Sequence, residues 1–101
     1  MILKFLRVRG ASLAPLFQDG DFVLASRLPL WFRPPRVGEV VVFTHPAYGR
    51  LVKRVAQVLP DHRLIVRGTD IDSVDSRTFG AIEARQVEGV VIAHIPRPRS
   101  G

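Results

Sequence analysis

The sequence predicts an all-β protein, folded as an antiparallel barrel or a folded sheet. Two observations lead there. Short runs rich in Val, Ile, Leu and Phe recur along the 101 residues, bounded by Gly, Pro, Asp and His. Closely spaced runs of that kind, with turn residues between them, mark antiparallel sheet architecture. Helical periodicity is nearly absent, and only residues 81–87 offer a helical turn or so. A chain of this length suits one domain with one modest core. Its 47% hydrophobic content supports a folded rather than a disordered state. The domain is expected over residues 1–95, with residues 96–101 (Pro-Arg-Pro-Arg-Ser-Gly) as a frayed tail.

The elements follow in order. Residues 5–8 read as a short first strand. Gly10 and Pro15 bound a turn, and Asp19-Gly20-Asp21 makes a second turn into a strand at 22–25. Residues 27–38, with Pro29, Pro34, Pro35 and the aromatics Trp31 and Phe32, read as a loop. Residues 39–44 form a strong strand; Val40-Val41-Val42-Phe43 is too continuous for simple alternation and predicts burial on both faces. His45-Pro46-Ala47-Tyr48-Gly49 is a hairpin connection into a long strand at 50–59. Pro60-Asp61-His62 turns the chain into a strand at 64–67. An irregular polar loop is expected over 68–80, and a last strand over 87–95.

Composition removes several function classes. With no cysteine there is neither a disulfide framework nor a thiolate zinc site. His45, His62 and His94 are scattered and lack metal-ligand spacing, so no metal and no cofactor are expected. No segment approaches the ~20 apolar residues of a membrane span, so no transmembrane anchor is expected. Residues 1–8 are too short and too charged for a signal peptide. The chain therefore reads as complete, soluble and cytoplasmic. Net charge is +6, and of the 15 basic residues only Lys4 and Lys53 are lysine. Such a balance permits contact with nucleic acid or an acidic membrane surface. The arginines are dispersed, however, as on a solvated basic surface.

Two segments carry chemistry. In Gly10-Ala11-Ser12-Leu13-Ala14-Pro15, glycine allows tight backbone geometry and proline restricts the exit. A serine in such a turn has an exposed hydroxyl, and its own N–H can face a developing oxyanion. In Leu51-Val52-Lys53-Arg54-Val55, residues two apart share a strand face, which sets Lys53 between Leu51 and Val55. Poor solvation of an ammonium there lowers its pKa from the free value of ~10.4, as a lysine base requires. Arg54 points to the opposite face. Ser12 and Lys53 are thus a candidate nucleophile and base, a lysine variant of the serine triad. Each segment alone has a plainer reading. The first can be only a turn, and the lysine can snorkel from a half-buried strand.

A third segment follows, Ser73-Val74-Asp75-Ser76-Arg77-Thr78-Phe79-Gly80. In this order the three segments resemble the type I signal peptidase family. The family pattern Gly-x-Ser-Met-x-Pro has Leu13 in place of methionine, a volume-conserving exchange. A Gly20-Asp21 turn follows it, and Val52-Lys53-Arg54-Val55 matches the lysine strand in full. Gly10 stands where some members carry a serine oxyanion donor. Gly68-Thr69-Asp70 stands in for a Gly-Asp-Asn box, with Thr69 where the family has aspartate. The resemblance covers roughly residues 8–91. It implies the compact all-β core shared by signal peptidases and self-cleaving repressor domains. It also implies Ser73 as a support for the Lys53 amine, and an Asp75–Arg77 ion pair that fixes the loop. Substrate would bind extended, beside Val8, Arg9, Gly10 and Leu13 on one side and Leu51 and Val52 on the other.

The expected function is a Ser-Lys endopeptidase that removes an N-terminal leader from a protein precursor. Among small soluble groups of this architecture, the resemblance favours the nickel-type superoxide dismutase maturation peptidases, with that precursor as partner. One alternative is an anchorless signal-peptidase-like protease of other substrate. Another is a non-enzymatic basic β-barrel that binds nucleic acid through Arg7, Arg9, Arg33, Arg36 and the arginine tail, with Trp31 and Phe32 as stacking surfaces. No nucleic acid is needed under the peptidase reading.

Overall fold

A computed structural model of the chain describes residues 3–7, 21–68 and 74–95. Among the described residues, six strands make one antiparallel sheet: β1 (Leu3–Arg7), β2 (Phe22–Ser26), β3 (Val40–His45), β4 (Gly49–Val58), β5 (Leu64–Arg67) and β6 (Val87–Ile95), in the spatial order β1-β2-β6-β3-β4-β5. The all-β expectation is met. Strand boundaries move by only one or two residues, as with β1, which begins at Leu3 rather than Phe5.

The apolar run in β3 ends up at the middle of the sheet. β3 pairs with β4 through Val41↔Lys53 and with β6 through Val41↔Val90. Val40, Val41, Val42 and Phe43 are all buried, the burial on both faces that their unbroken hydrophobicity predicts. Successive strand residues alternate faces, so two cores result. Val41, Phe43, Val55, Leu64, Val66, Ile82, Val87 and Val90 form the larger one. Val23 and Val40, with Leu6, Val52 and Val91 against them, form the smaller one on the other side.

The ladders carry three irregularities, at Leu24/Ala25, Val42/Phe43 and Val55/Gln57. Bulges sharpen twist and bend a strand. The one opposite Val42/Phe43 makes Glu88 of β6 the extra residue, since Val42 pairs with Gly89 and Phe43 with Val87. Released from the ladder, the Glu88 carboxylate accepts hydrogen bonds from Lys4 Nζ (3.1 Å), Thr44 Oγ1 (2.7 Å) and Arg50 Nη2 (3.2 Å). It thereby ties β1, β3 and β4 to β6. Burial pushes the Glu88 pKa up, but the bonds from Thr44, Arg50 and Lys4 outweigh it and hold the group at about 2.

Two predicted loops hold short helices. Residues 27–38 contain a 3₁₀ turn, Leu28–Trp31, with proline in its first turn where no N–H is missed. The loop expected at 68–80 contains α1 (Ser76–Phe79), and a 3₁₀ turn at Ala84–Gln86 fills part of the predicted 81–87 turn. Propensity gives little warning of a four-residue helix, because such a helix exists only when its cap and its packing hold it. Among the described residues no helix is long and apolar enough to cross a membrane.

Candidate active site

Lys53 is on β4, in register with Val41 of β3, and only 3% of it is exposed. Val55, two residues on, belongs to the larger core, and Leu51, two residues before, packs against that core. The lysine is therefore set among apolar side chains on the larger-core face, as the alternation of β4 predicts. Val52 faces the other way and packs against Val23 and Val40. Of the two β4 residues expected to touch substrate, Leu51 shares the lysine's face; Val52 can offer only its backbone there.

The edge of β4 matters as much as its faces. β3 pairs with β4 from Gly49 to Arg54, whereas β5 pairs only from Arg54 onward, through Arg54↔Arg67. Among the described residues, no strand lies against residues 49–53 on the side away from β3. One step along the same ladder, Gly68 follows Arg67 as Lys53 precedes Arg54. The Gly68 end of β5 thus comes beside the Lys53 stretch.

Asp75 fastens the third segment at that same point. Its side chain is fully buried and accepts hydrogen bonds from Gly68 N–H (2.9 Å), Arg77 N–H (2.9 Å) and the Arg77 guanidinium (2.8 Å at Nη2). It is also the N-cap of α1. Burial alone pushes the Asp75 pKa up. The Arg77 hydrogen bonds and the Gly68 and Arg77 backbone donors outweigh that and hold the carboxyl at about 2. Asp75 and Arg77 thus form a charge-assisted pair that pins the start of α1 to the end of β5. Ser76 completes the fastening: its hydroxyl accepts the Val66 N–H at 2.8 Å. Sequence reasoning missed that role, although a serine next to an N-cap aspartate is well placed to take a stray backbone donor.

Ser12, Ser73, Val8, Arg9, Gly10 and Leu13 lie outside the described residues, as do Thr69 and Asp70. Just before β2, the buried Asp21 carboxylate meets His94 Nε2 at 2.7 Å. That contact between β6 and the residue before β2 joins positions 73 apart in sequence, which local patterns do not reveal. No group of three or more metal-ligating side chains occurs among the described residues.

The stacking-surface alternative meets one specific obstacle. Arg33, one of its proposed phosphate contacts, makes a two-pronged pair with Glu39 at 2.8 and 2.6 Å. Those hydrogen bonds hold the Glu39 carboxyl below its usual range. Arg33 is thus committed within the chain.

None of the curated proteins compared with this chain matches it. A comparison with protein families matches residues 1–62 to the family described as "Signal peptidase, peptidase S26". The match takes in both the Gly10–Pro15 segment and the Lys53 strand, and stops before the Asp75 loop. It spans more than half of the 101 residues. The sheet is all-β, as a signal-peptidase-like serine protease requires, and the chain belongs to the signal peptidase family, peptidase S26.

Proposed function

We propose that the chain is an endopeptidase with a Ser12–Lys53 dyad that removes an N-terminal leader from a protein precursor in the cytoplasm. The observation that carries this reading is a lysine only 3% exposed on a strand that, among the described residues, β5 pairs with only from Arg54 onward. Burial disfavours the ammonium and so favours the neutral amine that a general base must be. In the proposed reaction Lys53 takes the Ser12 hydroxyl proton and Ser12 attacks the scissile carbonyl. The Ser12 N–H stabilises the oxyanion, and the Lys53 proton passes to the leaving amine. Lys53 then activates water against the acyl-enzyme. The precursor lies extended along residues 50–52 and adds a strand to the sheet, as peptides do at open edges. Leu51, on the lysine's face, limits the space and favours small residues before the cut. In this reading Ser73 supports the amine, and the Asp75–Arg77 pair holds the loop that brings it there.

A nickel-type superoxide dismutase precursor is the first substrate to test. Incubation with the purified protein, followed by intact-mass measurement, should show loss of the leader. Ser12→Ala and Lys53→Arg should both abolish that loss while the fold persists, since arginine keeps the charge but does not deprotonate in this range. Cleavage by Lys53→Arg would refute the general-base role. Cleavage of other leaders but not of this precursor would keep the chemistry and reject the substrate.

A further inference from the structure

The turn between β3 and β4 gathers aromatic rings at one end of the lysine's face. Along β4 that face carries Lys53, Leu51 and Gly49, and β3 sets Val41, Phe43 and His45 directly opposite them. The His45 ring packs on Phe79 of α1, with 4.6 Å between ring centroids, and on Tyr48 of the turn at 5.1 Å. Tyr48 and Phe79 meet at 5.9 Å, and Phe79 meets Phe43 edgewise at 6.1 Å. These separations suit attractive ring pairs. His45 Nδ1 also accepts the Ala47 N–H at 3.0 Å, which fixes the ring within the turn. On the other side Asp75 caps α1 and holds its start to the end of β5. The rings are thus anchored from both elements.

The cluster has an open side. Tyr48 is 47% exposed, and His45 and Phe79 are half-buried. A Cβ added at Gly49 would meet no atom within 4 Å beyond its chain neighbours. Gly49 therefore leaves space where the alternation of β4 would set the next side chain after Lys53 and Leu51. Among the described residues no strand pairs with 49–53 on the side away from β3. A peptide added along that edge comes to the rings in a definite register, because directly opposed residues on adjacent strands share a face. With the residue before the cut beside Lys53, the third before it lies beside Leu51 and the fifth beside Gly49. At ~3.3 Å per residue the fifth is about 13 Å from the cut. The cluster has no acidic member, and the chain's net charge of +6 disfavours a basic side chain there. An aromatic side chain gains both apolar burial and ring contact.

We propose that His45, Tyr48 and Phe79 form a specificity subsite for an aromatic side chain five residues before the cut. This rests on the Ser12–Lys53 reaction and on a leader extended along β4. The test uses synthetic decapeptides with alanine at the first and third positions before the cut and a single phenylalanine moved through the fourth, fifth and sixth, each compared with its alanine counterpart. Cleavage by the full chain is followed by mass and read as kcat/KM. Phenylalanine at the fifth position should raise kcat/KM about tenfold. At the fourth or sixth it should give no such gain, because the side chain then points to the other face. Tyr48→Ala should bring the fifth-position phenylalanine and alanine peptides within about twofold of each other, and Tyr48→Phe should keep the preference. An unchanged melting temperature for Tyr48→Ala excludes lost folding as the cause, and the positional series in the unaltered chain needs no variant at all. Equal cleavage of the two fifth-position peptides, an equal gain at all three positions, or a preference that survives Tyr48→Ala overturns the subsite. Absence of cleavage in the whole series, or cleavage that survives Ser12→Ala, overturns the Ser12–Lys53 reaction and the subsite with it. Ser12-dependent cleavage without a fifth-position preference overturns the subsite alone, so the two failures read differently.

Discussion

Replacing Asp75 by asparagine removes one charge from a fully buried site while nearly keeping its shape. The folded carboxyl titrates at about 2 against an ordinary 3.8. At about 1.4 kcal/mol per pH unit, that difference is worth about 2 kcal/mol of folding stability near neutral pH. The amide also keeps only one of two acceptor oxygens, while Gly68 N–H, Arg77 N–H and the guanidinium all still need one. Arg77 is 39% exposed and recovers part of its loss from water. A total of about 2–4 kcal/mol follows, within the range for breaking a buried pair. For a domain of this size that lowers the melting temperature by roughly 10–25 °C. The assay is thermal unfolding of wild type and Asp75→Asn from pH 7 to pH 2. A depressed carboxyl pKa stabilises above its unfolded value and loses that contribution as pH falls through its folded one. The gap between the two proteins should therefore be full above about pH 4 and shrink steadily toward pH 2. Peptidase activity should fall together with stability. A difference below about 3 °C at pH 7, or a gap that does not change between pH 6 and pH 2, would refute the argument that this carboxylate fastens the loop by its charge.

Glu88→Gln should destabilise by about 1–2 kcal/mol at neutral pH, less than its shifted titration suggests, because Lys4 and Arg50 are 41% and 47% exposed. Urea titrations should show this difference fading between about pH 4.5 and pH 2, the direction set by a carboxyl held at about 2. At Gly89 an added Cβ would lie 3.1 Å from Ser26 O, a backbone atom that cannot swing away. Gly89→Ala should thus cost about 1–3 kcal/mol in denaturant unfolding, and a neutral result would mean that β2 and β6 yield more easily than their pairing suggests. Lys53→Met fills similar volume without an ionisable amine. It should abolish cleavage while the protein still unfolds cooperatively, and a cooperative but still active Lys53→Met protein would remove the lysine from the chemistry.

Much of the sheet was legible because its signals are local. Val40 to Phe43 had to be a strand buried on two sides, since four consecutive large apolar residues leave no solvent face. His45 to Gly49 had to be a hairpin connection, and Gly49 does take a positive φ of 75° there. Strand alternation alone put Lys53 on the face of Leu51 and Val55. What alternation does not supply is the depth of burial. Lys53 is buried because β3 lies alongside with Val41 and Val90 of β6 lies next to that. The order β1-β2-β6-β3-β4-β5 brings the last strand into the middle of the sheet, and no local pattern encodes such a placement. Glu88 is a single acidic residue in the sequence. It becomes a hub only when a bulge turns it toward Lys4, Thr44 and Arg50, which are 84, 44 and 38 positions away. α1 escaped the reading for the same reason: its cap, Asp75, is held by Gly68 and Arg77, and Ser76 by Val66 of β5. Sequence determines which segments can be strands and which residue types can do chemistry, because propensity and alternation act over a few residues. Pairing order, burial and charge neighbourhoods join distant residues, and only the folded chain decides them.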